Sequence, residues 1–454
     1  MRRIGVVITI AALGLISSAW AQPLSLAQAW QAARAHDPTY QAAVADREAA
    51  QSERAMGRAA LLPQISGTVG RTRTKGHLES PNAQGDRVRQ DLNYTAKTNQ
   101  VVLEQMVFDW DAISGYRQGH AKADQALAAF DTHTNENSER LVNRYFQVLL
   151  AHQQQHIAQT NLDATEQHVR IAQRYFDQGE GTVTAIYEAQ ARYDMAQAQV
   201  LLAQDALTLA RYELQEMVGS YPQQVYGLQE HLDLQGVQPD YLQGWLDLAM
   251  QRNAQIRLAA EDLRVNALEI QRAFSGHLPS VYLTASLGRN TSESLSTRNQ
   301  KASTRAVGAQ VNVPIFSGGR TWAQTQQAGF NRDSSQYDLE AMREEIAVEV
   351  TRQYQGVVSG IKHIQALEKA VSSNEAAVES AQRGYMGGTS SIRDILDAQE
   401  RLYNAELDLT KARLDFVLAR LMLAALADGL DGALIEQTTH AYFSAQPIDL
   451  PTLP

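Results

Sequence analysis

Apolar positions along this chain follow a spacing of seven in some stretches and a spacing of two in others. Leu141, Val148, Leu162, Val169 and Phe176 fall at multiples of seven, with Gln155 the one polar member of the series. Beyond Gly179 the spacing resumes through Ile186, Tyr193, Val200, Leu207 and Leu214. Adding 209, the distance from Gly179 to Gly388, gives a second series: Val350, Val357, Ile364, Val371, Val378 and Tyr385, then Ile395, Leu402, Leu409, Phe416 and Leu423. A seven-residue repeat keeps one seam only if the helix supercoils left-handedly, because a straight helix drifts by about 20° per heptad. Each half of the chain therefore predicts a long coiled helical hairpin. The ascending arm from about Trp110 to Gln178 would be on the order of 100 Å long at about 1.5 Å per residue, the scale of a span between two membranes.

Ahead of each hairpin the period drops to two. Val281, Leu283, Ala285 and Leu287 alternate with Tyr282, Thr284 and Ser286; Val307, Ala309, Val311, Val313 and Ile315 alternate with Gly308, Gln310 and Asn312. The first half carries a weaker version in Ile65, Gly67 and Val69, and in Val101 to Phe108, where Gln105 interrupts. Polar loops are expected between the members of each pair, at Lys75 to Gln90 and Asn290 to Ser303. Such segments match the length of a membrane-crossing strand with one lipid face and one lumen face. A soluble hairpin with one buried face explains any single pair as well; two pairs at equivalent repeat positions favour the membrane.

Four strands per chain cannot close a barrel with a lumen, since the smallest barrels use about eight. An open edge in lipid would leave backbone groups unpaired at several kcal/mol each. Closure must come from other copies, and three would supply twelve strands and six hairpins.

Composition narrows the setting. Met1 to Ala21 reads as a secretory leader, with Arg2-Arg3, an apolar run from Ile4 to Ile16, and Ala19-Trp20-Ala21 as the cleavage site, so export is expected. No later stretch approaches the apolar length of a membrane-spanning helix, so any crossing must be by strands. Cysteine is absent, which removes disulfides and a lipidated N-terminal cysteine. The formal charge is −10, or about −12 without the leader arginines, which argues against nucleic acid and favours cations in any pore.

These features together resemble the TolC-type outer-membrane factors over essentially the whole mature length. The resemblance rests on the duplicated order of helix, strand pair and hairpin, on Leu62 to Ser66 (LPQIS), on Pro314 to Gly319 (PIFSGG), and on Asp394 to Gln399 (DILDAQ). It implies a mainly α fold with a small β part: duplicated coiled hairpins and four membrane strands per protomer. In a homotrimer these form a twelve-strand barrel in the outer membrane and an α-helical tunnel projecting into the periplasm. It further implies docking to a periplasmic adaptor protein and an inner-membrane pump, an ABC transporter or a proton-driven one, with no cofactor. The Asp37-Pro38 segment and the missing anchor cysteine resemble the branch serving type I secretion of polypeptides such as toxins or proteases. A multidrug or metal efflux channel shares the architecture, and an exported structural coiled coil remains the reading from another class.

The domain reading is a leader at 1–21, a first repeat at 22–219, a linker at 220–239, a second repeat at 240–427 and an irregular tail or belt at 428–454. The second hairpin turns at Gly387 to Ser391, and Asp394 and Asp397 stand at i, i+3 on one face of the helix that follows. In a trimer they would form two stacked acid rings at the periplasmic tip, a cation-favouring constriction; in the family such aspartates line the closed entrance. Ser391 with Asp394 also reads as a capping box, which explains Asp394 as well. Tyr385 matches a family tyrosine that ties helices shut, and it also completes a heptad series. The family's arginine past this turn is Ser390 here, and the aspartate after Thr184 is Ala185, so two partners of the family's salt-bridge network are missing and whether salt bridges hold the gate is left open. Tyr385, Thr184, Asp394 and Asp397 are the candidate gate residues.

Chemistry for catalysis is not legible. There is no phosphate-binding loop, so energy must come from a partner. His152 and His156 share a helix face but lack the H-E-x-x-H pattern, and read as a solvated polar face rather than a metal site.

Overall fold

The computed structural model describes residues 23–229, 231–292 and 300–451; the expected leader lies outside the described residues. Helices α1 (Leu26–His36) and α2 (Pro38–Ala59) precede strands β1 (Gln64–Pro81) and β2 (Arg87–Phe108), then α3 (Trp110–Asp177) and α4 (Val183–Val218). After β3 (Gln224–Leu228) the order recurs as α5 (Leu242–Arg252), α6 (Ala254–Phe274), β4 (Ser280–Ser292), β5 (Gln300–Asn312), α7 (Arg320–Met386) and α8 (Ile392–Asp428). The duplication reaches the lengths: α3 and α7 have 68 and 67 residues, α4 and α8 have 36 and 37.

The helix expected before each strand pair is broken in two at equivalent places. Asp37 ends α1 and caps α2, taking the Thr39 N–H at 2.8 Å, with Pro38 at the first helical position, where no N–H is required. Asn253 does the same for α6, accepting from Gln255 N at 2.9 Å and Ile256 N at 3.2 Å. Burial alone would raise the Asp37 pKa. Bonds from the Thr39 N–H, Arg140 and Asn137 hold it below the usual carboxylate range.

The chain divides into two compact units. One comprises Ala42–Asn135 and Leu246–Glu349; the other comprises Met1–Gln41, Glu136–Trp245 and Val350–Pro454. The first holds a four-stranded antiparallel sheet of order β1-β2-β4-β5. Its register places Ile65, Leu103, Ala285 and Val307 in one cross-strand row, and Gln64, Glu104, Thr284 and Gly308 in the next. One face is therefore apolar and the other polar. The apolar face is uncovered in the single chain: Ile65 is 70% exposed and Val307 86%. Gln105, which interrupts the pattern, donates its side-chain amide to the carbonyls of Leu61 (3.1 Å) and Met106 (2.7 Å).

Two expectations are corrected in this sheet. The stretch Lys75 to Gln90 is mostly strand, paired from Lys75↔Asn93 to Pro81↔Arg87, with only a short turn in which the Asn82 side chain accepts from Gln84 N and Asp86 N. Backbone pairing continues there without any apolar alternation to announce it. The expected loop at 290–303 is likewise shortened by β4 and β5, and 293–299 lie outside the described residues. At the other end, β5 stops at Asn312 rather than reaching Ile315, because Pro314 has no N–H for a ladder.

In the second unit the heptad positions away from the hairpin turns form the core, while most of those nearer the turns are half-buried and Phe176 is exposed. Leu141, Val148, Leu207, Leu214, Val357, Ile364, Phe416 and Leu423 are all buried. The segment expected as an irregular C-terminal tail folds instead as α9 (Gly432–Tyr442) and β6 (Phe443–Asp449). Asp431 caps α9 through Leu434 N at 2.8 Å, and β6 pairs antiparallel with β3. Ile435, Tyr442 and Phe443 are buried, so this stretch supplies core, which its three prolines and lack of a heptad concealed.

Candidate functional site

The turns of the two hairpins are built alike. Gly179 and Gly388 both take left-handed φ, +78° and +72°, where a side chain would be strained. Glu180 N and Gly181 N bond the Tyr175 carbonyl at 3.0 Å; Thr389 N and Ser390 N bond that of Gly384 at 2.8 and 3.2 Å. Thr182 caps α4 and Ser391 caps α8, again 209 residues apart. The hairpins diverge at the third position of the helix. In α4 it is Ala185, which gives its N–H to Thr182 and has nothing to return. In α8 it is Asp394, whose Oδ2 accepts from Ser391 N (2.7 Å) and Ser391 Oγ (2.8 Å), completing a capping box. The Ser391 backbone N–H, then its hydroxyl, hold the Asp394 pKa below its ordinary value.

Asp397, one turn further on, points elsewhere. Its Oδ1 lies 3.3 Å from Arg192 Nη2 of α4, and Arg192 Nη1 lies 2.8 Å from Glu400 Oε2. Closer to the turn Arg393 Nη2 meets Glu188 Oε1 at 2.7 Å. Three ion pairs thus tie the first hairpin to the second. Beside them Ile392, Ile395 and Leu396 are buried, packed with Ala185, Ala381 and Tyr385. The Tyr385 ring lies 5.0 Å from that of Tyr175, and burial, with Tyr175 adding to it, raises its pKa.

Of the four candidate gate residues, the structure brings Tyr385 into the contact between hairpins and gives Asp397 an arginine partner. Asp394 is engaged in its own cap. Thr184 is exposed in the first turn of α4 and joins none of these contacts among the described residues. Ion pairs join the hairpins, through arginines at 192 and 393 rather than at position 390. Sequence reading missed Glu188, Arg192, Arg393 and Glu400. A signal was present, since Glu188 and Arg192 are i, i+4 on α4 while Arg393, Asp397 and Glu400 follow at i, i+4, i+7 on α8. These are complementary stripes on equivalent helices.

His152 is partly buried, and burial, then the neighbouring His156, lowers its pKa, so the pair is not wholly a solvated face.

The sequence profile described as Outer membrane efflux protein matches residues 29–220 and 245–429. The chain is 32% identical over 426 residues to the alkaline protease secretion protein AprF of Pseudomonas aeruginosa, covering 93% of this chain and 88% of that one. It is 31% identical to the proteases secretion protein PrtF of Dickeya chrysanthemi, covering 99% and 97%. Among solved structures, the outer membrane protein VceC of Vibrio cholerae superposes with a TM-score of 0.75 at 20% identity, covering 89% of this chain and 97% of that chain.

Proposed function

Because this chain belongs to the outer membrane efflux protein family, we propose that three copies of it close one twelve-strand barrel and form the last section of a polypeptide export route. The protein is an outer-membrane channel. The observation that carries the trimer is the four-stranded sheet, apolar on one face, with β1 and β5 as edges that nothing pairs among the described residues. In lipid those edges must be satisfied, and copies of the same sheet satisfy them without new chemistry. A second feature agrees: Met195, Leu202 and Leu209, seven apart on α4, are 57%, 69% and 61% exposed, an apolar stripe suited to the helix of a neighbouring copy.

The channel is passive and catalyses nothing; a periplasmic adaptor and an inner-membrane ABC transporter supply engagement and energy. A protease-like polypeptide is the favoured cargo, supported by full-length similarity to AprF and PrtF. The repeats at 22–219 and 240–427 are the units that duplicate, joined by the linker at 220–239. The hairpin turns form the periplasmic constriction: Asp397 and Tyr385 hold the hairpins together, with Asp394 and Thr184 at the rim. At rest the three ion pairs keep the tips in, and an adaptor opens them by competing for the same helices.

Membrane fractionation followed by mass measurement in detergent tests the assembly; a monomer released without detergent would end this reading. Export is tested by supplying the chain to cells that hold a protease exporter and adaptor but lack their own channel. Protease appearing in the medium is expected, and its retention inside would refute the cargo assignment.

A further inference from the structure

The sheet's register sorts charge as sharply as it sorts hydrophobicity. Side chains of a strand alternate between faces, and the register places the odd-numbered positions of β1, β2, β4 and β5 on the apolar face with Ile65, Leu103, Ala285 and Val307. Every Lys and Arg in these strands is odd-numbered. Arg71, Arg73, Lys97, Arg289, Lys301 and Arg305 therefore stand on the face that meets lipid. Lys75, Arg87 and Arg89 continue the same face toward the β1–β2 turn. The opposite face carries no Lys or Arg in these strands, and its single acid is Glu104.

These cations occupy four successive cross-strand rows, from Arg305 beside Leu287, through Arg289 in the row of Val69, to Arg73. On β4 the apolar outward positions end at Leu287 and Arg289 follows; on β1 they end at Val69 and Arg71 follows. Arg71, Lys97, Thr291 and Lys301 form one cross-strand row, three cations on four neighbouring strands. Like charges directly opposite one another destabilise a sheet. All six are exposed, and none forms an ion pair among the described residues. Acids on this face, Asp91 and Glu79, come only nearer the turn, paired with His77 and Arg89. In a chain of net charge −10, this band gathers six cations on one face, all on the turn side of the row that holds Ile65 and Val307.

We infer that this band is a seat for phosphate groups of lipid headgroups in the outer leaflet, the leaflet on the side of the β1–β2 turn. Guanidinium forks and ammonium groups at the edge of an apolar band can bury their stems against acyl chains and bind phosphate oxygens at headgroup level. One multivalent phosphate headgroup would relieve the repulsion within the Arg71–Lys97–Lys301 row. The inference rests on the sheet's apolar face meeting lipid, as the proposed function requires.

The test uses the full-length channel purified in non-ionic detergent, titrated with diphosphorylated lipid A, with the same lipid after phosphate removal, and with inorganic phosphate, read by native mass spectrometry. The wild type should bind the phosphorylated lipid, with affinity falling as salt rises. The dephosphorylated lipid and inorganic phosphate should bind far more weakly. Each basic group near an anionic surface contributes on the order of fivefold. The variant Arg71→Gln, Arg73→Gln, Lys97→Gln, Lys301→Gln should therefore lose on the order of several hundredfold in lipid affinity, and Arg71→Lys with Arg73→Lys should retain most of it. Single-channel conductance of the glutamine variant should equal that of the wild type, which also shows that it folds. Unchanged lipid binding in that variant, or a change in its ion selectivity, would overturn the inference, the latter by placing the cations in the lumen. Failure of the wild type to enter membranes at all would instead remove the proposed function beneath it.

Discussion

Arg192 on α4 reaches Asp397 on α8 across 205 residues, the same separation as Glu188 and Arg393. Equivalent positions of the repeat lie 209 apart, so the two descending helices meet displaced by four residues, about one helical turn. That displacement brings an arginine of each helix against a carboxylate of the other. The duplication thereby acquires a staggered set of ion pairs between its two halves.

If these ion pairs hold the tips as proposed, removing them should loosen the tips. Exposed ion pairs contribute about 0.2–1 kcal/mol each. Arg192→Ala with Arg393→Ala, which deletes all three, should raise the open fraction in planar bilayers several-fold. An open fraction equal to the wild type's would show that the hydrophobic contact around Ile395 and Tyr385 is sufficient by itself.

Asp394 and Asp397 should separate by role. Asp394→Asn keeps an accepting oxygen for Ser391 and loses only charge. If Asp394 serves the cap alone, that variant should leave conductance and divalent block unchanged. Asp394→Ala with Asp397→Ala should reduce cation selectivity; unaltered selectivity and block would mean that neither residue lines the constriction.

The cap also has a pH signature. The Asp394 pKa is depressed in the folded chain, so its contribution is present above the unfolded value near ~3.9 and fades as pH falls through the lower folded value. Protection of the Ser391 amide against hydrogen exchange, taken relative to its intrinsic rate at each pH, should hold down to about pH 4 and fall below it. The first hairpin, with Ala185 at this place, should show no such step, and a matching step there would assign the effect to some other carboxylate.

The stripe on α4 should be needed for assembly. Leu202→Glu with Leu209→Glu places charge on a surface that one chain already exposes, so the monomer should fold while the trimer is lost. Mass in detergent decides it, and a stable trimer would place the stripe away from the neighbour.

Arg211 should fasten the C-terminal segment. It is 3% exposed, donates to the carbonyls of Pro222 and Pro451, and lies over the Tyr221 ring at 4.1 Å. Arg211→Ala leaves these carbonyls short of a donor, at about 1–3 kcal/mol. Faster proteolysis near β6 is the expected readout, and unchanged cleavage there would mean β6 holds without it.

The heptads marked the hairpins almost to the residue, because the positions buried away from the turns, such as Leu141, Val148, Ile364 and Phe416, recur at that spacing, while near the turn Phe176 is exposed. The strand pairs were legible where one face is apolar and illegible toward the β1–β2 turn, where Arg73, Lys75 and His77 hold their strand by backbone bonds alone. Of the candidate site, the turn glycines and the Ser391–Asp394 box could be read directly, since a left-handed residue and a cap are local. The partners of Asp397 could not, because a heptad says which face is buried and not which helix covers it.

What the sequence by itself determined is the local and the periodic: two hairpins, their caps, and alternating strands too few to close. Tertiary structure decided the rest. The one-turn stagger that pairs Arg192 with Asp397, the strand order β1-β2-β4-β5, and the folding of 428–451 onto β3 all depend on distant segments meeting. The energy of those meetings is a sum over many small contacts, so no single stretch of chain carries its signature.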